Sequence, residues 1–169
     1  MDRASLRAAQ APLKERYRAD PATARIPTDA AGTYREPRIT ATIDGFAGPI
    51  RAGLHPAAGG TGTDACSADL LLQAVLACAG VTLRAVATSI GVDVRGGTVR
   101  AEGDLDFRGT LAVDKGAPVG FTDIRLAFDL DTSADPDQLA TLLRLTERYC
   151  VVLQTLTTPP ALQSTISAG

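Results

Sequence analysis

Ser67 to Ile90 reads SADLLLQAVLACAGVTLRAVATSI, and the fold turns on this stretch. It contains no proline, it is apolar almost all round, and at the usual helical pitch it makes about six turns. A helix with no polar face has to be enclosed by other structure. Its ends are marked as well: Ser67 is a plausible N-cap, Asp69 falls in the first turn, and Gly91 is placed to terminate the helix.

On its N-terminal side, residues 3–19 predict a helix with a modest apolar face (Leu6, Ala9, Leu13, Tyr17), stopped by Asp20-Pro21. The β-branched run from Arg38 to Asp44, a turn at Gly45, and a second run from Pro49 to Leu54 predict a β-hairpin. Residues 55–63, HPAAGGTGT, are a loop by composition. On the C-terminal side three strands are expected, over Val92–Glu102 with an interruption at Gly96-Gly97, Leu105–Val113 and Phe121–Leu130; the last alternates almost strictly, which implies one dry and one wet face. Asp135-Pro136-Asp137-Gln138 carries the residues of an N-cap and capping box and opens a helix expected to run through Leu156, before Pro159-Pro160. Leu162 to Ser167 would supply a final strand. The order of elements is α+β, with helices on one face of a largely antiparallel sheet. Residues 1–37 read as an N-terminal helix and linker, and residues 38–169 as the folded domain.

Composition narrows the function. The chain has 169 residues, 45% hydrophobic and 21% charged, which suits one globular domain. Its formal net charge is -2 and it has no basic block, so it lacks the electrostatic footprint of a nucleic-acid binder. No secretory h-region and no run of about 18 consecutive apolar residues is present, which leads to the expectation of a cytoplasmic protein without a membrane partner. One histidine, His55, and three cysteines without a C-x-x-C pattern argue against structural zinc.

The chemistry therefore rests on Cys66, Cys78 and Cys150, or on none of them. Free cysteine is among the most buried residue types and often serves as a small hydrophobe. Of the three, Cys66 has the best local position for ionisation, just ahead of a helix N-terminus, whereas Cys78 lies in mid-helix. Other features are weaker. Gly59-Gly60-Thr61-Gly62 lacks the lysine and hydroxyl of a phosphate loop, His55 has no indicated nucleophile beside it, and Glu147 with Arg148 reads as a solvated face.

The segments SADLLLQAVLACAGVTL and ERYCVVLQTL, in that order and separated by a strand reading GFTDIRL, resemble the two cysteine helices of the OsmC/Ohr family of osmotically inducible and organic-hydroperoxide-resistance proteins. The resemblance runs from about Arg38 to the C-terminus. It implies an OsmC-like domain over 38–169 and an intertwined homodimer built around the long helices. It also implies thiol-dependent reduction of organic hydroperoxides in an oxidative stress response, with an external thiol as reductant and no metal, haem or flavin. In that scheme Cys78 attacks the peroxide and Cys150 resolves the resulting sulfenic acid. The family's glutamate ten residues before the first cysteine is Ala68 here. The nearest acid is Asp69, which an ideal helix places opposite Cys78. Arg51 is the nearest match to the family's thiolate-holding arginine. The competing expectation is a non-catalytic dimer of the same fold that binds a small apolar ligand or senses redox state.

Overall fold

The computed structural model describes residues 1–34 and 39–168. The expected start of the hairpin at Arg38, and the junction between the linker and the domain, lie outside the described residues.

Helix α1 (Arg3–Ala19) is capped by Asp2, whose carboxylate accepts from the Ser5 amide at 2.8 Å, and it lies against the long helix without burying any residue of its own. A small sheet follows, formed by β1 (Gly32–Thr33), β2 (Thr40–Ile43), β3 (Ile50–Gly53) and β4 (Ala65–Cys66) in that spatial order. The expected hairpin is the antiparallel β2–β3 pair, with Thr40 opposite Gly53 and Ile43 opposite Ile50; β4 joins β3 in parallel.

The decisive stretch is helix α2 (Ser67–Ile90), with Cys66 rather than Ser67 at the N-cap. Gly91 ends it at φ 82°, and the amides of Gly91 and Val92 both return to the Ala87 carbonyl, at 2.9 and 3.0 Å. By length and composition α2 could cross a membrane. Here it is the central helix of a two-layer fold, and Arg84 in its third quarter donates to the Val94 carbonyl.

Beyond α2 the structure departs from expectation. The strand expected over Val92–Glu102 is β5 (Val94–Leu105), 12 residues paired antiparallel with β6 (Phe121–Thr132), with Ala101 opposite Leu126. Gly96-Gly97 does not interrupt it: a bulge between Val94 and Gly96 takes up the irregularity, and Gly97 passes close to the Asp129 carbonyl at φ 151°. Gly103 lets the strand continue past the Phe121 ring, since a Cβ there would lie 2.5 Å from that ring. The strand expected over Leu105–Val113 is instead one helical turn, α3 (Phe107–Thr110), because Asp106 caps it through the Arg108 amide at 3.0 Å. Strand β6 keeps its predicted alternation, with Ile124, Leu126, Phe128 and Leu130 turned inward.

Helix α4 (Pro136–Tyr149) opens with the anticipated capping box, Asp135 and Gln138 exchanging bonds of 2.8 and 3.0 Å. It does not run through to Leu156. At Cys150 the backbone becomes extended (φ -74°, ψ 110°), and a new helix, α5 (Val151–Thr157), begins with two β-branched valines. The break is stitched by Gln154, whose side-chain amide donates to the Glu147 carbonyl at 2.9 Å. The last strand expected over Leu162–Ser167 is not formed; Leu162 and Ile166 stand 90% and 101% exposed.

The core is Leu83, Val86, Ala87, Val92, Val94 and Leu142, where α2, α4 and the β5–β6 sheet meet. One chain encloses only one face of α2. Val75 and Ala79 are fully buried while Val81 is 72% exposed.

Candidate thiol site

Cys78 lies on α2, one turn beyond Val75 and beside Ala79, so its place along the helix is fixed by the best-buried part of that helix. Cys150 occupies the α4–α5 break, entirely buried. Its amide donates to the Thr146 carbonyl and its own carbonyl accepts from Gln154, both at 2.9 Å, so the backbone at the break is satisfied although the helix is interrupted. Both helices pack on α2, and this brings the two cysteines face to face. All three cysteines are free thiols.

The two sulfurs are electrostatically unequal. For Cys78, burial is the largest single influence and raises the pKa. It is outweighed by the Val152 amide, the Cys150 side chain, the Thr82 hydroxyl and the Val151 amide, which together hold the thiol below its ordinary value. For Cys150, burial is again the largest influence and here it prevails. Offset in part by the Leu153 and Val152 amides, and reinforced by the bond to Cys78 and by the charge on Cys78, it holds the thiol above its ordinary value. The two titrate as a pair, Cys78 ionising first and Cys150 keeping its proton. Such an arrangement offers a thiolate with a protonated thiol in contact, which is the composition needed for oxidation followed by disulfide closure.

The other residues singled out from the sequence lie elsewhere. Arg51, on β3, is paired with Asp64, and Asp69 is exposed in the first turn of α2; neither is among the groups that shift either thiol. Cys66 is at the far end of α2 from Cys78, about 18 Å away along the axis at 1.5 Å per residue. It makes no side-chain cap and lines a separate cleft of about 380 Å³ with His55, Leu71, Phe107 and Phe121. His55 has a structural role, its Nδ1 accepting from the Ala57 amide at 3.0 Å while its ring stacks on Phe107 at 4.8 Å. Among the described residues no three His, Cys, Asp or Glu side chains converge to hold a metal ion.

Three contributors were not anticipated. The Val151 and Val152 amides face Cys78 only because the helix breaks, which a continuous-helix reading conceals. Thr82 could have been found, since it stands four residues after Cys78 on the same helical face.

Comparison with known proteins bears on the fold and the family. No curated protein sequence matches the chain significantly. The fold is similar to that of an OsmC-like protein from Mycoplasma pneumoniae (TM-score 0.65, 15% identity, 79% of this chain and 89% of that one). It is also similar to an organic hydroperoxide resistance protein, OsmC, from Legionella pneumophila (TM-score 0.57, 14% identity, 79% and 93%). A third relative in structure is the organic hydroperoxide resistance protein OhrB of Bacillus subtilis (TM-score 0.53, 19% identity, 78% and 93%). At these identities the likeness is one of fold. The family model for OsmC-like proteins matches residues 60–165, which include α2, both paired cysteines and the β5–β6 sheet, and the chain belongs to that family.

Proposed function

We propose that the protein is a thiol-dependent peroxidase that reduces organic hydroperoxides through Cys78 and Cys150. The observation that carries this reading is the contact between a thiol held below its ordinary pKa and a buried one held above it, contributed by two different helices. The relatives in structure that are described as organic hydroperoxide resistance proteins support the substrate class.

The Cys78 thiolate attacks the distal oxygen of the hydroperoxide; an S–O bond forms, the O–O bond breaks, and the alkoxide takes a proton and leaves as the alcohol. Cys78 is then a sulfenic acid. The Cys150 thiol, adjacent and protonated, loses its proton as its sulfur attacks the Cys78 sulfur, which releases water and closes the disulfide. An external thiol reduces that disulfide, so peroxide gains two electrons per cycle and the external thiol supplies them. The exposed Val81 on an otherwise apolar α2 supports a homodimer as the working form.

The test is consumption of cumene hydroperoxide with dithiothreitol as reductant. Wild-type protein turns over repeatedly, Cys78→Ser does not, and Cys66→Ser behaves like wild type. Turnover retained in Cys78→Ser would overturn the assignment. A folded wild-type dimer inert to every alkyl hydroperoxide would leave the ligand-binding or redox-sensing alternative.

A further inference from the structure

The cleft that holds Cys66 is built from four separated stretches of chain: the segment from Gly53 to Ala58, the first turn of α2, the end of β5 with α3, and residues 119–121 leading into β6. At about 380 Å³ it is larger than the cavities of about 250 and 220 Å³ that share Leu83 between α2 and the sheet.

Local constraints set its walls. The Ala58 and Gly60 amides both donate to the His55 carbonyl, at 2.8 and 3.0 Å, and Gly60 folds so closely over Leu54 that a Cβ would lie 1.7 Å from the Leu54 carbonyl oxygen. Phe107 is held in α3 by the Asp106 cap, and its ring lies 4.8 Å from that of His55 at an interplanar angle of 21°. A cleft formed in this way exists before anything enters it, and its volume falls within the range of about 300–1,000 Å³ usual for small-molecule sites.

The lining selects the occupant. Leu54, Leu71, Leu105, Phe107, Val119 and Phe121 make it apolar, and among the described residues no Asp, Glu, Lys or Arg lines it. Leu54 and Val119 are 40% and 65% exposed, so the empty cleft leaves apolar surface to water. His55 adds a polar point to this lining. Its Nδ1 accepts from the Ala57 amide at 3.0 Å and so carries no proton; the neutral ring then has its proton on Nε2, which has no partner among the described residues.

We propose that this cleft is a binding site for a small uncharged molecule with a flat apolar body and one hydrogen-bond-accepting oxygen, such as an aromatic ketone, the oxygen accepting from His55 Nε2. The site uses neither Cys78 nor Cys150, so it stands whether or not that pair turns over peroxide. Cys66, a free and partly buried thiol in the lining, reports on it, because an occupant shields the sulfur.

The experiment is iodoacetamide alkylation of the reduced, full-length protein with 2-acetylnaphthalene as the probe, read by mass spectrometry of the peptides containing Cys66 and Cys78. At about ten times its dissociation constant the probe leaves about one cleft in ten empty, so Cys66 is alkylated about tenfold more slowly while Cys78 is unaffected. The anion 2-naphthoate, of similar size, meets no cation in the cleft and gives no shielding at that concentration. His55→Phe keeps a ring against Phe107 but removes the donor; by calorimetry its affinity for the ketone falls about fivefold, the net contribution of one hydrogen bond, while its affinity for naphthalene is unchanged. Alkylation of Cys66 at the same rate with and without the ketone overturns the proposal, as does a native protein whose Cys66 cannot be alkylated because a second copy covers this face. Equal shielding by 2-naphthoate, or undiminished ketone affinity in His55→Phe, overturns the ligand class. Should His55→Phe not fold, the ketone and naphthalene are compared on the wild-type protein, where equal affinity overturns the hydrogen bond.

Discussion

Replacing Cys150 in two ways separates its two proposed duties. Serine keeps a hydrogen-bond donor next to Cys78 but cannot form a disulfide; alanine removes both. Cys150 is 0% exposed, so no water is at hand to replace a lost donor. A hydrogen bond to an ionised partner contributes about 1.5–3 kcal/mol, and about 1.4 kcal/mol corresponds to one pKa unit. Because the bond favours the thiolate, its loss raises the Cys78 pKa, by about one to two units in Cys150→Ala and much less in Cys150→Ser. Below the wild-type midpoint a smaller fraction of Cys78 is therefore thiolate in the alanine variant, and its reaction with peroxide slows. Cys150→Ser should react at close to the wild-type first-turnover rate and stop after one equivalent of peroxide. Its Cys78 is left as a sulfenic acid that dimedone labels and that excess peroxide over-oxidises. Stopped-flow peroxide consumption, with mass spectrometry of the labelled peptide, reads both outcomes. Sustained turnover by Cys150→Ser at the wild-type rate would refute the resolving role, and an equal Cys78 midpoint in the serine and alanine variants would refute the hydrogen-bond argument.

Two predictions concern the scaffold. Gly97→Ala should lower stability by more than about 1 kcal/mol in urea denaturation, because a side chain at φ 151° collides with the Asp129 carbonyl. Gly96→Ala, which meets nothing within 4 Å, should cost far less, and equal losses would show that the bulge tolerates either residue. Val75→Asp buries an unpaired charge at a fully enclosed position and should abolish soluble expression. Val81→Asp falls on the open face of α2 and should yield a folded monomer by light scattering; a folded dimer would place the interface elsewhere.

Legibility in the sequence followed the range of the forces involved. The long helix, the hairpin and the capping box are written in neighbouring residues: an apolar run bounded by Gly91, β-branched alternation around Gly45, and Asp135 with Gln138 three positions on. The errors arose where a residue's partner is distant in sequence. Gly96-Gly97 looks like a strand breaker until β6 lies alongside and the missing side chain of Gly97 makes room for the Asp129 carbonyl. The alternation over Leu105–Val113 looks like a strand until Asp106 caps a helical turn, and Leu111 and Val113 turn out to be exposed.

The thiols show the same division most sharply. Judged by its neighbours in sequence, Cys66 is the reactive cysteine, since it precedes a helix of 24 residues whose first amides are unpaired. Cys78, in mid-helix, has no claim of that kind: the amides nearest it in sequence are already bonded within α2. What changes the order is the break at Cys150, which opens two amides and a thiol toward a residue some seventy positions earlier. The interactions that hold the Cys78 thiol below its ordinary value are thus mainly tertiary, and they depend on α4 ending where it does. The family resemblance pointed to Cys78 without supplying this reason. The resemblance also led to the expectation of an acid and an arginine as the thiolate's partners. In this chain Ala68 replaces the acid, Arg51 is engaged by Asp64, and the groups that hold the Cys78 thiol below its ordinary value are neutral donors. Neutral donors stabilise an anion without themselves titrating, and among the described residues the titratable group that bears on the Cys78 thiol is Cys150.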